Sequence, residues 1–218
     1  TNADTAFSGV LSGTGGLTKT GTGTLTLSGV NTFTGATQVN AGTLQMAAAG
    51  VLSDSTALSV ASGATWDLAG FAETVGSIAG AGQIKLGSAT LTSGGSNAST
   101  TFSGVISDAG GLVKAGTGTL TLSGSNTYAG TTDINGGTLK LGHANALGSA
   151  ATSSGTTVGA GAALDLNGLT VTEPVSLAGG RVLNGVLSGD MVLTADSTIE
   201  AAVGSSLALA GVISGGFG

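Results

Sequence analysis

Apolar and polar residues alternate along the chain in short runs. Pairs of apolar residues are separated by one residue that is usually polar or small, and a period of two is typical of a strand with one buried face. Glycine, asparagine and serine cluster between the pairs, as turns require. The pattern predicts strands at nine places: Leu25/Leu27, Leu44/Met46, Leu58/Val60, Trp66/Leu68, Ile84/Leu86, Leu120/Leu122, Leu139/Leu141, Leu164/Leu166 and Leu207/Leu209.

Helical spacing never persists for more than about two turns. The best helix candidate is Ala47-Ala48-Ala49, which Gly50 cuts off. The sequence therefore predicts an all-β protein.

A long internal repeat is the strongest signal in the sequence. Residues 7–46 align without gaps on residues 102–141, at an offset of 95 and with 26 of 40 positions identical. Residues 64–70 resemble residues 162–168 at an offset of 98. A third copy is predicted to begin near Ala210 and to be cut short by the end of the sequence.

Repetition at a fixed period indicates a solenoid, a propeller or an array. Neighbouring strand signals lie about 19 to 24 residues apart, as from Leu25 to Leu44 and from Leu44 to Trp66. That spacing fits one coil of a parallel β-helix, and a 95-residue repeat would hold four or five coils. Propeller blades would show longer hairpin strands and one repeat per blade. We predict a parallel β-helix (solenoid) of about 9–11 coils that runs through residues 1–218 as one continuous domain.

The amino-acid composition suits a fold built from thin, stacked β layers. Of 218 residues, 42 are Gly, 40% are hydrophobic and 7% are charged, which excludes a disordered chain. Aromatic residues make up 3%, too few for an ordinary globular core.

The net charge and the residues at the chain ends limit which partners and which cellular location are expected. The net charge is −6 and the five basic residues are scattered, so nucleic acid is not an expected partner. No apolar run approaches the ~20 residues that span a bilayer, and the absence of Cys fixes no compartment. Residues 1–4 lack the features of a signal peptide, and we expect the chain to be an excised piece of a longer protein.

The repeat resembles a known family. Residues 110–128 and 136–141, with their twin at 15–46, follow the pattern G-G-L-x-K-x-G-x-G-T-L-x-L-S-G-x-N-T-[FY]-x-G and then N-x-G-T-L. This long pattern resembles the passenger-associated transport repeat of autotransporters and covers about a third of the chain. The resemblance implies a right-handed β-helix that reaches the bacterial cell surface, or is released from it, by type V secretion. It also implies a signal peptide upstream and an outer-membrane barrel domain downstream, so that the chain would meet the outer membrane only through a barrel domain absent from this fragment.

The predicted function is a non-catalytic surface stalk or adhesin scaffold that also aids passenger export and folding, because each coil can pair with the one before it. The alternative is direct adhesion, by self-association or by binding a host or cell-surface glycan or protein. A polysaccharide-degrading β-helix enzyme is the third hypothesis. No cofactor is expected.

Four asparagines recur in the repeat: Asn31, Asn40, Asn126 and Asn135. We predict that they are structural turn residues that tolerate a left-handed backbone, with amides bonded to neighbouring coils. A sugar contact is the alternative role.

Lys19 and Lys114 share one repeat position in Gly-rich stretches. A phosphate loop is excluded, because Thr18 and Val113 stand where that motif needs Gly. Both lysines are predicted to be solvated turn residues. The only tryptophan, Trp66, is predicted to point inward, with an exposed sugar-stacking platform as the alternative.

No catalytic or metal site is predicted. His143 is the only histidine, and a metal site needs more convergent ligands. A glycosidase needs two facing carboxylates, and stacking could bring Asp67 near Glu73 or Asp165 near Glu173. Because Asp67 and Asp165 occupy equivalent repeat positions, a structural role is favoured for them.

Overall fold

The computed structural model describes residues 2–149, 155–201 and 204–216. Regular structure in these ranges is entirely strand, and none of their segments forms a helix that could cross a bilayer. The strands are β1 Thr5–Phe7, β2 Leu17–Lys19, β3 Thr24–Leu27, β4 Thr37–Val39, β5 Thr43–Met46, β6 Ala57–Val60, β7 Thr65–Asp67, β8 Glu73–Val75, β9 Ser77–Gly80, β10 Gln83–Lys85, β11 Thr90–Ser93, β12 Thr100–Phe102, β13 Val105–Ser107, β14 Gly111–Lys114, β15 Thr119–Leu122, β16 Thr132–Ile134, β17 Thr138–Leu141, β18 Thr156–Gly159, β19 Ala163–Asp165, β20 Thr170–Val171, β21 Val175–Ala178, β22 Arg181–Leu183, β23 Gly185–Leu187, β24 Met191–Ala195, β25 Thr198–Glu200, β26 Leu207–Leu209 and β27 Ile213–Gly215.

The strands form three faces. Face 1 is the six-stranded sheet with the order β1-β3-β5-β7-β10-β13. In the later coils, the three-stranded sheet β20-β23-β26 occupies the same position. Face 2 is a ten-stranded sheet from β2 to β25, and face 3 is an eight-stranded sheet from β8 to β27. Neighbouring strands within each sheet are parallel. The predicted all-β parallel solenoid is confirmed, and its roughly ten coils fall within the predicted range.

Inward side chains stack as rows from coil to coil. On face 1 the register places Leu44 against Trp66 and Trp66 against Ile84, and all three side chains are fully buried. A single coil could not shield these apolar side chains from water, so burial depends on the coils above and below. The core is therefore a narrow column that runs the length of the solenoid.

The repeat does not span a whole number of coils. From β2 on face 2, the same face is reached again at β4, β6, β9 and β12, which makes four coils. The repeat equivalent of β2 is β14, which lies two faces beyond β12, on face 3. One repeat thus winds through about four and two-thirds coils, and its two copies lie on different sides of the solenoid.

One detail agrees with the all-β prediction, and other predictions stay open. Residues 47–50, which contain the best helix candidate, form a bend and a turn, and Gly50 closes the turn with a φ of +64°. The right-handed winding, the single domain over 1–218 and the third copy near residue 210 stay predictions. Thr1, residues 150–154, residues 202–203 and residues 217–218 lie outside the described residues.

Candidate functional site

The repeat lysines face the core. Lys19 ends β2 and Lys114 ends β14, and their side chains are 6% and 1% exposed. In a strand, residues two apart point to the same side. Lys114 therefore points inward, as the buried Leu112 does. The prediction of solvated turn lysines is wrong, because both positions lie inside strands and share the buried side.

The Lys114 ammonium is held by three backbone carbonyls. Its Nζ donates to the oxygens of Ala115 at 2.6 Å, Gly116 at 3.1 Å and Gly136 at 3.1 Å. An ammonium has three N–H donors, so every donor has an acceptor. Gly136 belongs to the following coil, so the lysine joins two coils. Burial lowers the pKa of Lys114.

Lys19 makes the same set of contacts in the first copy. Its Nζ donates to the oxygens of Thr20 at 3.0 Å, Gly21 at 2.7 Å and Ala41 at 3.0 Å. A Cβ at Gly42 would lie 2.8 Å from this Nζ, and Gly42 has a φ of +65°. Glycine is therefore required where the N-x-G part of the repeat pattern passes the ammonium.

Two asparagines bridge coils at a corner where strand pairing is interrupted. Asn31 is 3% exposed. Its Oδ1 accepts from the Leu11 N–H at 2.7 Å, and its Nδ2 donates to the Val51 carbonyl at 2.8 Å. One side chain thus links the coil before it to the coil after it.

Asn126 repeats this bridge in the second copy. Its Oδ1 accepts from the Ile106 N–H at 2.9 Å, and its Nδ2 donates to the Ala146 carbonyl at 2.6 Å. Asn40 and Asn135 instead are exposed. None of the four asparagines has a positive φ, so the left-handed backbone that these residues could tolerate is not adopted at these positions.

Glu73 continues the corner bridge two coils beyond Asn31, in a role that the sequence reasoning missed. Its carboxylate is 2% exposed and accepts from the Val51 N–H at 2.9 Å and the Leu52 N–H at 3.2 Å. Desolvation raises the pKa of Glu73 to about 7, although backbone hydrogen bonds act in the opposite direction. The Asp54 charge adds to the increase.

Asp67 and Glu73 do not face each other on one strand ladder, and neither do Asp165 and Glu173. Asp67 ends β7 on face 1 and accepts from the Gln45 Nε2 at 3.0 Å and the Ala69 N–H at 2.8 Å. Glu73 begins β8 on face 3, buried against the corner. In the second copy Asp165 lies on β19, whereas Glu173 is buried beyond β20.

Trp66 was considered as a sugar-stacking ring and His143 as a metal ligand, and the structure favours neither role. Trp66 is fully buried, so its ring cannot stack on a sugar, and its indole nitrogen has no hydrogen-bond partner. The Nδ1 of His143 accepts from the Asn145 N–H at 3.0 Å in a turn. Within the described ranges no three His, Cys, Asp or Glu side chains gather as a metal site would require.

A polar groove lies at the corner where face 2 leads into the later part of face 1. It encloses about 450 Å³. We call it the Asp165 groove, after the carboxylate at its centre. Sequence reasoning missed it, because its walls come from four successive coils. Its lining comprises Lys140, Asp165, Asn167, Gly168, Asn184, Gly204, Ser205 and Ser206.

Comparisons with known proteins agree with this architecture. The family model of the passenger-associated transport repeat matches residues 17–46 and 112–141, which contain both lysine sites. The chain is 43% identical over 141 residues to the adhesin BmaC autotransporter of Brucella suis biovar 1 (strain 1330). That match covers 62% of this chain but only 4% of the relative's length. No solved structure matches the chain significantly.

The matched repeat is named for its association with passenger transport, and the relative is an autotransporter adhesin. Two repeat matches and one long similarity fall on the same stacked coils. They place the chain outside the cell, at its surface or secreted. The chain carries two passenger-associated transport repeats, and its similarity to the Brucella adhesin supports a passenger segment of an autotransporter.

Proposed function

We propose that this segment is a non-catalytic length of stalk that carries the adhesive parts of a longer passenger away from the cell. The observation that supports the proposal is the bonding between coils. Lys19, Lys114, Asn31 and Asn126 each bond to backbone groups of a neighbouring coil. Buried polar groups of this kind are costly when they lack a partner. The coils should therefore hold one register along the rod.

We also propose that the same bonds aid export. The Lys19 ammonium reaches its third carbonyl, Ala41, only when the following coil is in place. Each coil that docks on a folded neighbour thus completes a buried polar site. Stepwise docking would favour outward movement of the chain without nucleotide hydrolysis.

Direct adhesion is the second candidate function. Self-association along a uniform flank receives little support, because the two repeat copies lie on different faces. Contact with a glycan is favoured by the Asp165 groove, which concentrates polar side chains on the solenoid surface.

The stalk and export proposal is tested with the full-length protein displayed on cells. A Lys19→Met/Lys114→Met double variant keeps the side-chain length but removes both ammonium groups. We expect several-fold less passenger at the surface and faster digestion by external protease. The control is Lys85→Met, at an exposed strand position. Display of the double variant at the wild-type level, with wild-type protease resistance, would contradict the proposal.

A further inference from the structure

The Asp165 groove has the dimensions of a small-ligand site and a polar lining. Its volume of about 450 Å³ lies in the range typical of such sites. The side chains that line it carry one carboxylate, one ammonium, two amides and two hydroxyls: Asp165, Lys140, Asn167, Asn184, Ser205 and Ser206. A ligand that fits must be polar and must be able both to donate and to accept hydrogen bonds.

The polar groups at the centre of the groove are held in place. The Asp165 carboxylate lies 3.4 Å from the Lys140 Nζ. Its Oδ1 also accepts from the Asn167 N–H at 2.9 Å and from the Asn184 Nδ2 at 3.1 Å. The Asn167 Nδ2 donates to the Leu141 carbonyl at 2.9 Å. Groups fixed in this way lose little conformational entropy when a ligand binds.

The first repeat copy shows that the fold does not require Lys140 or Asn167. There Gln45 stands in place of Lys140, Asp67 in place of Asp165, and Ala69 in place of Asn167. The Gln45 Nε2 reaches the Asp67 carboxylate at 3.0 Å. The backbone is left-handed at this position in both copies, since Ala69 and Asn167 have φ values of 49° and 52°.

A third position differs in the same direction. The residue that follows the strand partner of Asp67 is Leu86, which is fully buried. The residue that follows the strand partner of Asp165 is Asn184, which lines the groove. The second copy thus has polar side chains at positions where the first copy folds with less polar ones.

We infer that the Asp165 groove binds a neutral sugar unit of a glycan. Carboxylate and amide groups can hydrogen-bond adjacent sugar hydroxyls, and an ammonium donates to a hydroxyl oxygen. The charges of Lys140 and Asp165 cancel, which disfavours a charged ligand. The inference rests on the adhesive role proposed above and not on the stalk role. Since no aromatic ring lines the groove, one site should bind with a Kd of about 1 to 10 mM.

The test titrates the ¹⁵N-labelled chain with four methyl glycosides. Three are neutral, methyl α-mannoside, methyl β-galactoside and methyl α-fucoside, and methyl β-glucuronide is the acidic comparison. We expect at least one neutral glycoside to shift the amide signals of Gly168, Ser205 and Ser206, and the glucuronide to bind more weakly.

Matched variants come from the chain itself. Lys140→Gln and Asn167→Ala install the residues of the first copy, so both should fold normally. Each is expected to weaken binding about tenfold, and Gln45→Lys in the first copy should leave binding unchanged. The inference is overturned if no neutral glycoside shifts these amides, if only the glucuronide does, or if both groove variants bind like the wild type. Failure of the stalk proposal would be seen separately, as reduced display and protease resistance of the lysine double variant.

Discussion

At the scale of single residues, the most unusual feature is a buried ammonium whose three donors all meet backbone carbonyls. Burying a charge is costly unless hydrogen bonds replace its water shell. At Lys114 three carbonyl dipoles do so. They converge because the turn after β14 carries Gly116 with a φ of +66° and the next coil carries Gly137 with a φ of +60°. The lysine and the glycines of the repeat pattern are therefore parts of one site.

Replacing this ammonium should be costly. Lys114→Met would leave three partly buried carbonyls without this donor, and we expect the free energy of unfolding to fall by about 3 kcal/mol. Urea unfolding followed by circular dichroism measures the change. Lys85→Met is the control, because that side chain is exposed. Equal midpoints for the two variants would show that the carbonyl cage contributes little.

The buried carboxylate of Glu73 predicts a pH dependence. Its pKa is raised from 4.5 to about 7 in the folded chain, so the folded state binds this proton more tightly than the unfolded state does. The stabilisation is fully present below about pH 4.5 and is lost as the pH rises through about 7. Glu73 alone should lower the free energy of unfolding by about 3 kcal/mol across that window.

Glu73→Gln should remove most of that dependence while keeping one acceptor for the backbone N–H groups. Urea midpoints at several pH values between about 5 and 8 test this, with the exposed Glu200→Gln as the control. A Gln variant with the same pH profile as the wild type would rule out Glu73 as the responsible group.

At the scale of the elements, alternation predicted strands where the inward residues are apolar. Leu44/Met46 lies in β5 and Leu139/Leu141 lies in β17, and all four side chains are buried. β11 and β18 were missed, because inward-facing Ser93 and Thr156 weaken the apolar pattern there. A solenoid can bury hydroxyls in this way since they lie next to backbone groups of the stacked coils.

The polar sites were less predictable than the strands. Lysine side chains normally face solvent, so the residue type alone predicted an exposed side chain at Lys114. Its position two residues after the apolar Leu112 in the same strand instead indicated a buried one. The Asp165 groove could not be found from the sequence at all. Adjacent coils on face 2 are 25, 18 and 17 residues long, as the pairs Leu139/Leu164, Leu164/Val182 and Val182/Ile199 show. Such variable coil lengths prevent the stacking partners from being inferred from a fixed period.

At the scale of the whole molecule, the fractional number of coils per repeat governs how the surface is used. Lys19 lies on face 2, and Lys114 on face 3. A surface feature that recurred with the repeat would therefore point in two directions. A buried feature is satisfied equally on either face, because every face stacks on the same central column. This geometry favours an internal role for the repeat and leaves the outer surface free to vary, as it does at the Asp165 groove.

Because each coil of the solenoid contacts only its neighbours, a mutation should destabilise mainly the coils next to it. Asn126→Ala removes the bridge between Ile106 and Ala146, and we expect amide exchange to rise in those coils. Trp66 lies two coils before Ile106 on face 1, so the fluorescence transition of this single tryptophan should move less than the exchange near the mutation. Asn135→Ala, at an exposed asparagine, is the control and should change neither signal. If Asn126→Ala raised exchange equally along all coils and shifted the Trp66 transition by the same free energy, the solenoid would unfold as one cooperative unit, and export by successive docking of coils would lose its physical basis.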